Sequence, residues 1–353
     1  MIVAILLAGA LDVVGGKPEI EVLARPSPAY VEESATGHAL NFDIVIVNKT
    51  AAEVSVDEIR LSVYDSRDAL VLRRLIDGNG TRPSIRTIDA GPIPAGGSQL
   101  VFNPFHRFDP DVELGRLVYD LKLSGKGGEY TATLVVRPQA WRAATPLVLP
   151  VAGRLIVYDG HDLYAHHRRW DYMLPGIQEL GFKTNFMRYS YDHVPVDERG
   201  EMSSGDPARN ESWPGFGREL RAAGDGRVAA VVDVNPDDRQ FDPAALAGDR
   251  MKVWGNYVVI DHGNGEFSLY GHIRKGSARV KAGARVKRGD PIAAIGASGS
   301  SMFPHLHFEL QTGIDTESEG LPSAFRDFTL VRGSRRVAVP SGAIDTGDIV
   351  ESR

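Results

Sequence analysis

Apolar and polar residues alternate through the first third of the chain. Leu40, Phe42, Ile44 and Ile46 interleave with Asn41, Asp43, Val45 and Val47, and Leu117, Tyr119, Leu121 and Leu123 interleave with Val118, Asp120 and Lys122. Side chains point to opposite faces along a strand, so each run predicts an antiparallel strand with one face on a core. A third run, 130–136, follows Lys126-Gly127-Gly128, which has the chemistry of a hairpin turn. Turn signals at Asn48-Lys49, Asp77-Gly78-Asn79-Gly80 and Pro94-Ala95-Gly96-Gly97 recur at sandwich spacing. The pattern predicts an immunoglobulin-like β-sandwich over 19–138. The stretch 139–153, with Pro146 and Pro150, reads as a linker.

Beyond it the texture changes. Residues 154–158 form a strand pattern ending in Asp159-Gly160, and Trp170, Leu174 and Ile177 then follow helical spacing, with Gly181 where a helix would be capped. That predicts one short helix, with His166-His167 at its mouth. A strand pattern follows over 185–194, in which Arg188, Ser190 and Asp192 share a face and His193 takes the other. After a polar loop, 224–299 is a series of short strands and tight turns. Each is too short to stand alone, so together they predict one antiparallel β-structure. The last strand pattern, 303–310, puts His305 and His307 on one face and Leu306 and Phe308 on the other. The tail, 332–353, reads as an appended strand and loop.

Composition narrows the chemistry. Gly 38 and Pro 21 in 353 residues suit a turn-rich, mainly β protein of two domains. A net charge of -6 offers no basic stripe for nucleic acid. Cysteine is absent, so a metal would be held by histidines and carboxylates. The apolar run at the N-terminus, within 1–18, has the length of a signal-peptide h-region and is too short to span a bilayer. The other reading is a first buried strand. Export to the periplasm or the extracellular space is expected, with no integral membrane segment beyond such a signal.

The ordered series Gly224-Asp225-Gly226-Arg227-Val228, Gly255-Asn256-Tyr257-Val258-Val259-Ile260-Asp261-His262-Gly263, Tyr270-Gly271-His272, Val286-Lys287-Arg288-Gly289-Asp290-Pro291-Ile292, Ile295-Gly296-Ala297-Ser298-Gly299 and Pro304-His305-Leu306-His307-Phe308-Glu309 resembles the lysostaphin-like (LytM-type) zinc metalloendopeptidases of bacterial cell walls. The resemblance covers about 188–310. It implies a lysostaphin-type (duplicated hybrid motif) domain, placed at 154–331, with Zn2+ as cofactor and a peptidoglycan peptide as substrate. It also implies that Asp192 and His307 bind zinc, while His305 and His272 lie beside the metal without ligating it.

One position departs from that pattern. The first ligand should stand four residues before Asp192, where this chain has Arg188, and a guanidinium stays protonated and cannot ligate. Either the site is dead, or a histidine enters from elsewhere. His167 is the expected donor, with His166 as the alternative; His193, on the face opposite Asp192, is disfavoured. The alternative function is an inactive relative that binds cell wall or activates an amidase. A biotinyl or lipoyl-type carrier would need an exposed lysine at a hairpin tip, flanked by Met or Asp, and no such tip is present.

Overall fold

A strand with one apolar face is stable only when a second layer covers it. In the computed structural model, which describes residues 19–34, 37–88 and 91–352, the alternating runs provide two such layers. One sheet places Asp43–Asn48 between Ile20–Arg25 and Ser98–Phe102; the other runs in the order Gly128–Val136, Arg116–Gly125, Val54–Tyr64, Leu70–Asp77. Ile44 and Ile46 from the first meet Ile59, Leu61, Val63 and Leu121 from the second in one buried cluster. The reading of 1–18 as a signal peptide or first strand lies outside the described residues. Among the described residues, no helix is long and apolar enough to cross a membrane.

The second part of the chain is also mainly β. Among the described residues its largest sheet has twelve strands, and Arg154–Asp159, Tyr191–Pro195, Leu306–Gln311, Phe267–Gly271 and Tyr257–Asp261 lie side by side in its middle. Antiparallel pairing sets Asp192 opposite His307, and His307 opposite Gly271. Leu306, Phe308 and Leu310 point into one core with Tyr191, Tyr270 and Phe325. A smaller aromatic cluster around Phe182, Phe186 and Trp254 packs with Val259 and Leu269.

Three local expectations change. The helix expected from Trp170 is confined to Pro175–Glu179, and Leu174 before it is extended, at φ -60° and ψ 132°. A residue preceding proline is pushed out of the helical region, which explains the late start. The strand expected over 185–194 begins at Tyr191, because the Arg188 and Ser190 amides close turns onto the Asn185 and Met187 carbonyls. Residues 139–153 and 332–352 contribute strands to the sheets. Gln139–Ala140 pairs with Tyr30–Ser34, Leu147–Val148 pairs with Phe325–Arg332, and Ile349–Ser352 lies between Arg154–Asp159 and Phe325–Arg332.

Two glycines of the motif series are needed for close approach. Gly255 (φ +61°) and Gly299 (φ +69°) lie back to back, and a Cβ on either would run into the other's backbone nitrogen. This contact holds the turn after Trp254 against the Ser298 loop, where the Ser298 hydroxyl donates to the Ile273 carbonyl and accepts from the Asn256 amide.

Candidate metal centre

Two paired strands and one loop converge on the sheet face opposite the Phe308 core. Asp192 and His307 face each other across the ladder, with Asp192 Oδ1 3.2 Å from His307 Nδ1. His305, just before the same strand, brings Nε2 to 3.3 Å from that oxygen. His167 comes from the turn-rich stretch between the strand ending at Asp159 and the short helix, and its Nε2 lies 3.8 Å from Asp192 Oδ2. His167, Asp192 and His307 thus offer one ligand atom each, all within 4.8 Å of one another, and all three are buried. They border a crevice of about 160 Å³ whose lining includes Tyr158, Met302 and Phe303. Larger cavities of about 290 and 390 Å³ lie where the N-terminal layers meet the C-terminal hairpin, and neither is lined by this histidine cluster.

The remaining nitrogens are also held. His272 Nδ1 lies 2.8 Å from the Ser298 carbonyl and His305 Nδ1 2.7 Å from the Phe303 carbonyl. A carbonyl only accepts, so each ring donates from Nδ1 and, when neutral, keeps a lone pair on Nε2. The two rings are 4.8 Å apart. His272 has φ +59°, a left-handed backbone that non-glycine residues rarely adopt and that clusters at functional sites. Behind His307, Glu309 Oε2 approaches Nε2 at 3.4 Å and accepts the Ser190 hydroxyl at 2.7 Å. Behind His167, Asp159 Oδ2 lies 2.8 Å from Nδ1, off the line of a good hydrogen bond, while its two oxygens accept the His166 and His167 amides.

Electrostatics follow from this crowding. Burial alone would raise the Asp192 carboxyl, but His305, His167 and His307 around it hold it well below the usual carboxylate range. Burial would push His307 down, yet Asp192 and Glu309 on its two nitrogens carry it up to about 9. Burial, then the charges of His305 and His307, push His272 well below the ordinary histidine value. Burial likewise lowers His167. The ion-pair partners of Asp192 among the described residues are all histidines. A buried carboxylate faced only by imidazoles suits a divalent cation, which takes the place of the protons that otherwise balance it. The donor set of two imidazole nitrogens and one carboxylate oxygen fits such an ion.

His167, Asp192, His307, His305 and His272 are therefore brought together. His166 is on the rim, with its side chain 60% exposed and Nδ1 3.1 Å from Asp159. His193 faces the opposite core, stacked on Tyr191, and burial pushes it down to about 3. Arg188 does not border the crevice. Its guanidinium is fully buried, with Nη1 2.8 Å from Asp43 Oδ2 in an unaligned contact and Nε 3.2 Å from Glu319. Sequence reasoning missed Asp159 and Glu309. Glu309 had a signal, since it continues the 305, 307, 309 face of one strand, whereas Asp159 meets His167 only through the loop between them.

The family model for peptidase family M23 matches residues 215–318, which contain His272, His305 and His307 but neither His167 nor Asp192. Among curated relatives, the murein hydrolase activator EnvC of Escherichia coli is 36% identical over 95 residues, covering 27% of this chain and 18% of that protein. The peptidoglycan DD-endopeptidase ShyA of Vibrio cholerae is 48% identical over 125 residues, covering 35% of this chain and 28% of that protein. The matches thus span less than a third of either relative. The solved catalytic domain of lysostaphin from Staphylococcus simulans aligns with 48% of this chain and 88% of that one, at 17% identity and a TM-score of 0.27. Residues 215–318 thus match peptidase family M23, and the motif series that resembles the lysostaphin-like (LytM-type) enzymes lies within them.

Proposed function

We propose that the protein is a zinc-dependent endopeptidase that hydrolyses peptide bonds of bacterial peptidoglycan in the periplasm or outside the cell, with zinc held by His167, Asp192 and His307. One observation carries this reading: three ligand atoms from separate elements lie within 4.8 Å, beside a crevice bordered by His305 and His272. The naming of ShyA as a peptidoglycan DD-endopeptidase supports the substrate class. A zinc ion bound there lowers the pKa of the water it holds to about 7 and polarises a substrate carbonyl.

The chain's own groups handle the protons. With Nδ1 committed to a backbone carbonyl, His305 accepts a proton at Nε2 and, once charged, returns it to the leaving amine. His272 shares the crevice as a neutral ring, and with Nδ1 donating to the Ser298 carbonyl its Nε2 lone pair accepts a hydrogen bond that orients the attacking water. Glu309 fixes the tautomer of His307 by accepting from Nε2, leaving Nδ1 toward Asp192 and the metal.

The test is zinc content and cleavage of purified peptidoglycan. Protein stripped with a chelator loses cleavage and regains it with one equivalent of zinc. A protein that binds zinc neither as purified nor on reconstitution sinks the reading and favours a non-catalytic role of the kind EnvC's name describes. Glu309→Gln is expected to weaken zinc binding by about 10–100-fold, with cleavage recovered at saturating zinc. Unchanged affinity in a chelator competition would remove Glu309 from this role.

A further inference from the structure

His167 differs from the other two proposed ligands in how it is held. Asp192 and His307 sit in strands paired on both sides, so the ladder fixes them. His167 lies in a stretch without strand or α-helix, between Asp159 and the Pro175–Glu179 helix. Its own part of the chain supplies some restraint: Asp159 accepts the His166 and His167 amides, and Asn185 donates to the carbonyls of His167 and Arg168.

The other restraints cross from the N-terminal layers. Arg168, the next residue, is fully buried and reaches away from the crevice into the sandwich. Its Nη1 donates to Asp43 Oδ1 at 2.7 Å, Nη2 to the Phe42 carbonyl at 2.8 Å and Nε to Asn41 Oδ1 at 3.2 Å. At the start of the loop, Asn41 donates to the His161 carbonyl at 2.9 Å, and Glu32 lies 2.7 Å from His161 Nδ1. The loop is thus pinned at 161 and 168 by one patch of the sandwich, with His166 and His167 between the pins.

We infer that the N-terminal sandwich is a structural part of the metal centre: Asp43 and Asn41, acting through Arg168, are positioning residues for His167. The inference rests on the proposed ligand role of His167. A buried guanidinium cannot lose its partners and stay in place, because an unpaired charge in the interior is strongly disfavoured. Successive Cα atoms are only 3.8 Å apart, so a displaced Arg168 carries the His167 backbone with it. The ligand loop and the docked sandwich therefore form one unit, and the sandwich does more than tether the enzyme to its target.

The Asp43 carboxylate gives an internal control, because Arg188 meets its other oxygen. In the full chain, Arg168→Met and Arg188→Met each remove one of two arginines from the same buried acid, but only the first adjoins His167. Zinc affinity is read by competition with a chromophoric chelator, and ligand geometry by the visible spectrum of the cobalt-substituted protein. Arg168→Met should raise the zinc Kd by about 10–100-fold and change the cobalt spectrum. Arg188→Met should leave both near wild type at a comparable loss of thermal stability. Should Arg168→Met not fold, Arg168→Lys keeps the charge but not the three-way fork, and is expected to weaken zinc binding by about tenfold. A folded Arg168 variant with wild-type zinc affinity and spectrum overturns the inference, as does equal weakening by Arg188→Met. Wild-type protein that binds no zinc overturns the metal reading beneath it as well, which separates the two failures.

Discussion

Replacing His307 with alanine is expected to raise the zinc Kd by about 10²–10⁴-fold and to abolish cleavage of peptidoglycan. Zinc bound by a few protein ligands has an apparent binding free energy of about 10–16 kcal/mol. Shared over three or four ligands, that is about 3–5 kcal/mol each, or two to four powers of ten in Kd. Of the proposed ligands His307 has most to lose, because both its nitrogens are engaged and its ring lies 4.1 Å from Trp254. Alanine also leaves a void against Trp254, so His307→Gln is the companion variant, filling the space without an imidazole. Chelator competition and release of soluble fragments from purified peptidoglycan are the measurements. Wild-type zinc affinity in both folded variants would remove His307 from the site.

Much of this centre is legible in the linear chain because it lies on strands. Period-two alternation places His305 and His307 opposite Leu306 and Phe308, and it separates Asp192 from His193 in the same way. The ladder then brings Asp192 against His307, a pairing of residues 115 apart that no local pattern encodes. The choice between His166 and His167 is harder to read, because adjacent residues in a turn have no fixed period. What sorts them is Asp159, which gathers both amides, and Arg168, which points its guanidinium into the sandwich. Arg188 shows the same limit from the other side. Its position four before Asp192 suggests a lost ligand, but the chain turns at 187–190, so that spacing no longer reports a shared strand face. A buried acid on a distant strand, Asp43, accounts for the arginine.

The opposite face of the same strand gives the second large effect, on stability. Phe308 is fully buried, with its ring 5.3 Å from Tyr270 and 5.5 Å from Phe325, and both contacts join strands of the large sheet. Phe308→Ala is expected to destabilise the fold by about 3–5 kcal/mol, the lost burial plus the cavity left behind. For a unit of this size that corresponds to a fall in Tm of about 6–20 °C. The melt is best recorded with chelator present, since a bound metal adds its own stabilisation by mass action. At a temperature where the variant stays folded, its zinc Kd should lie within about threefold of wild type. The reason is that Asp192 and His307 keep their backbone ladder pairing on both sides, which does not pass through the Phe308 ring. A folded Phe308→Ala protein that loses zinc would mean that core packing and backbone ladder together hold the ligands. His305 and His307 would then depend on the apolar face behind them as much as on the hydrogen bonds beside them.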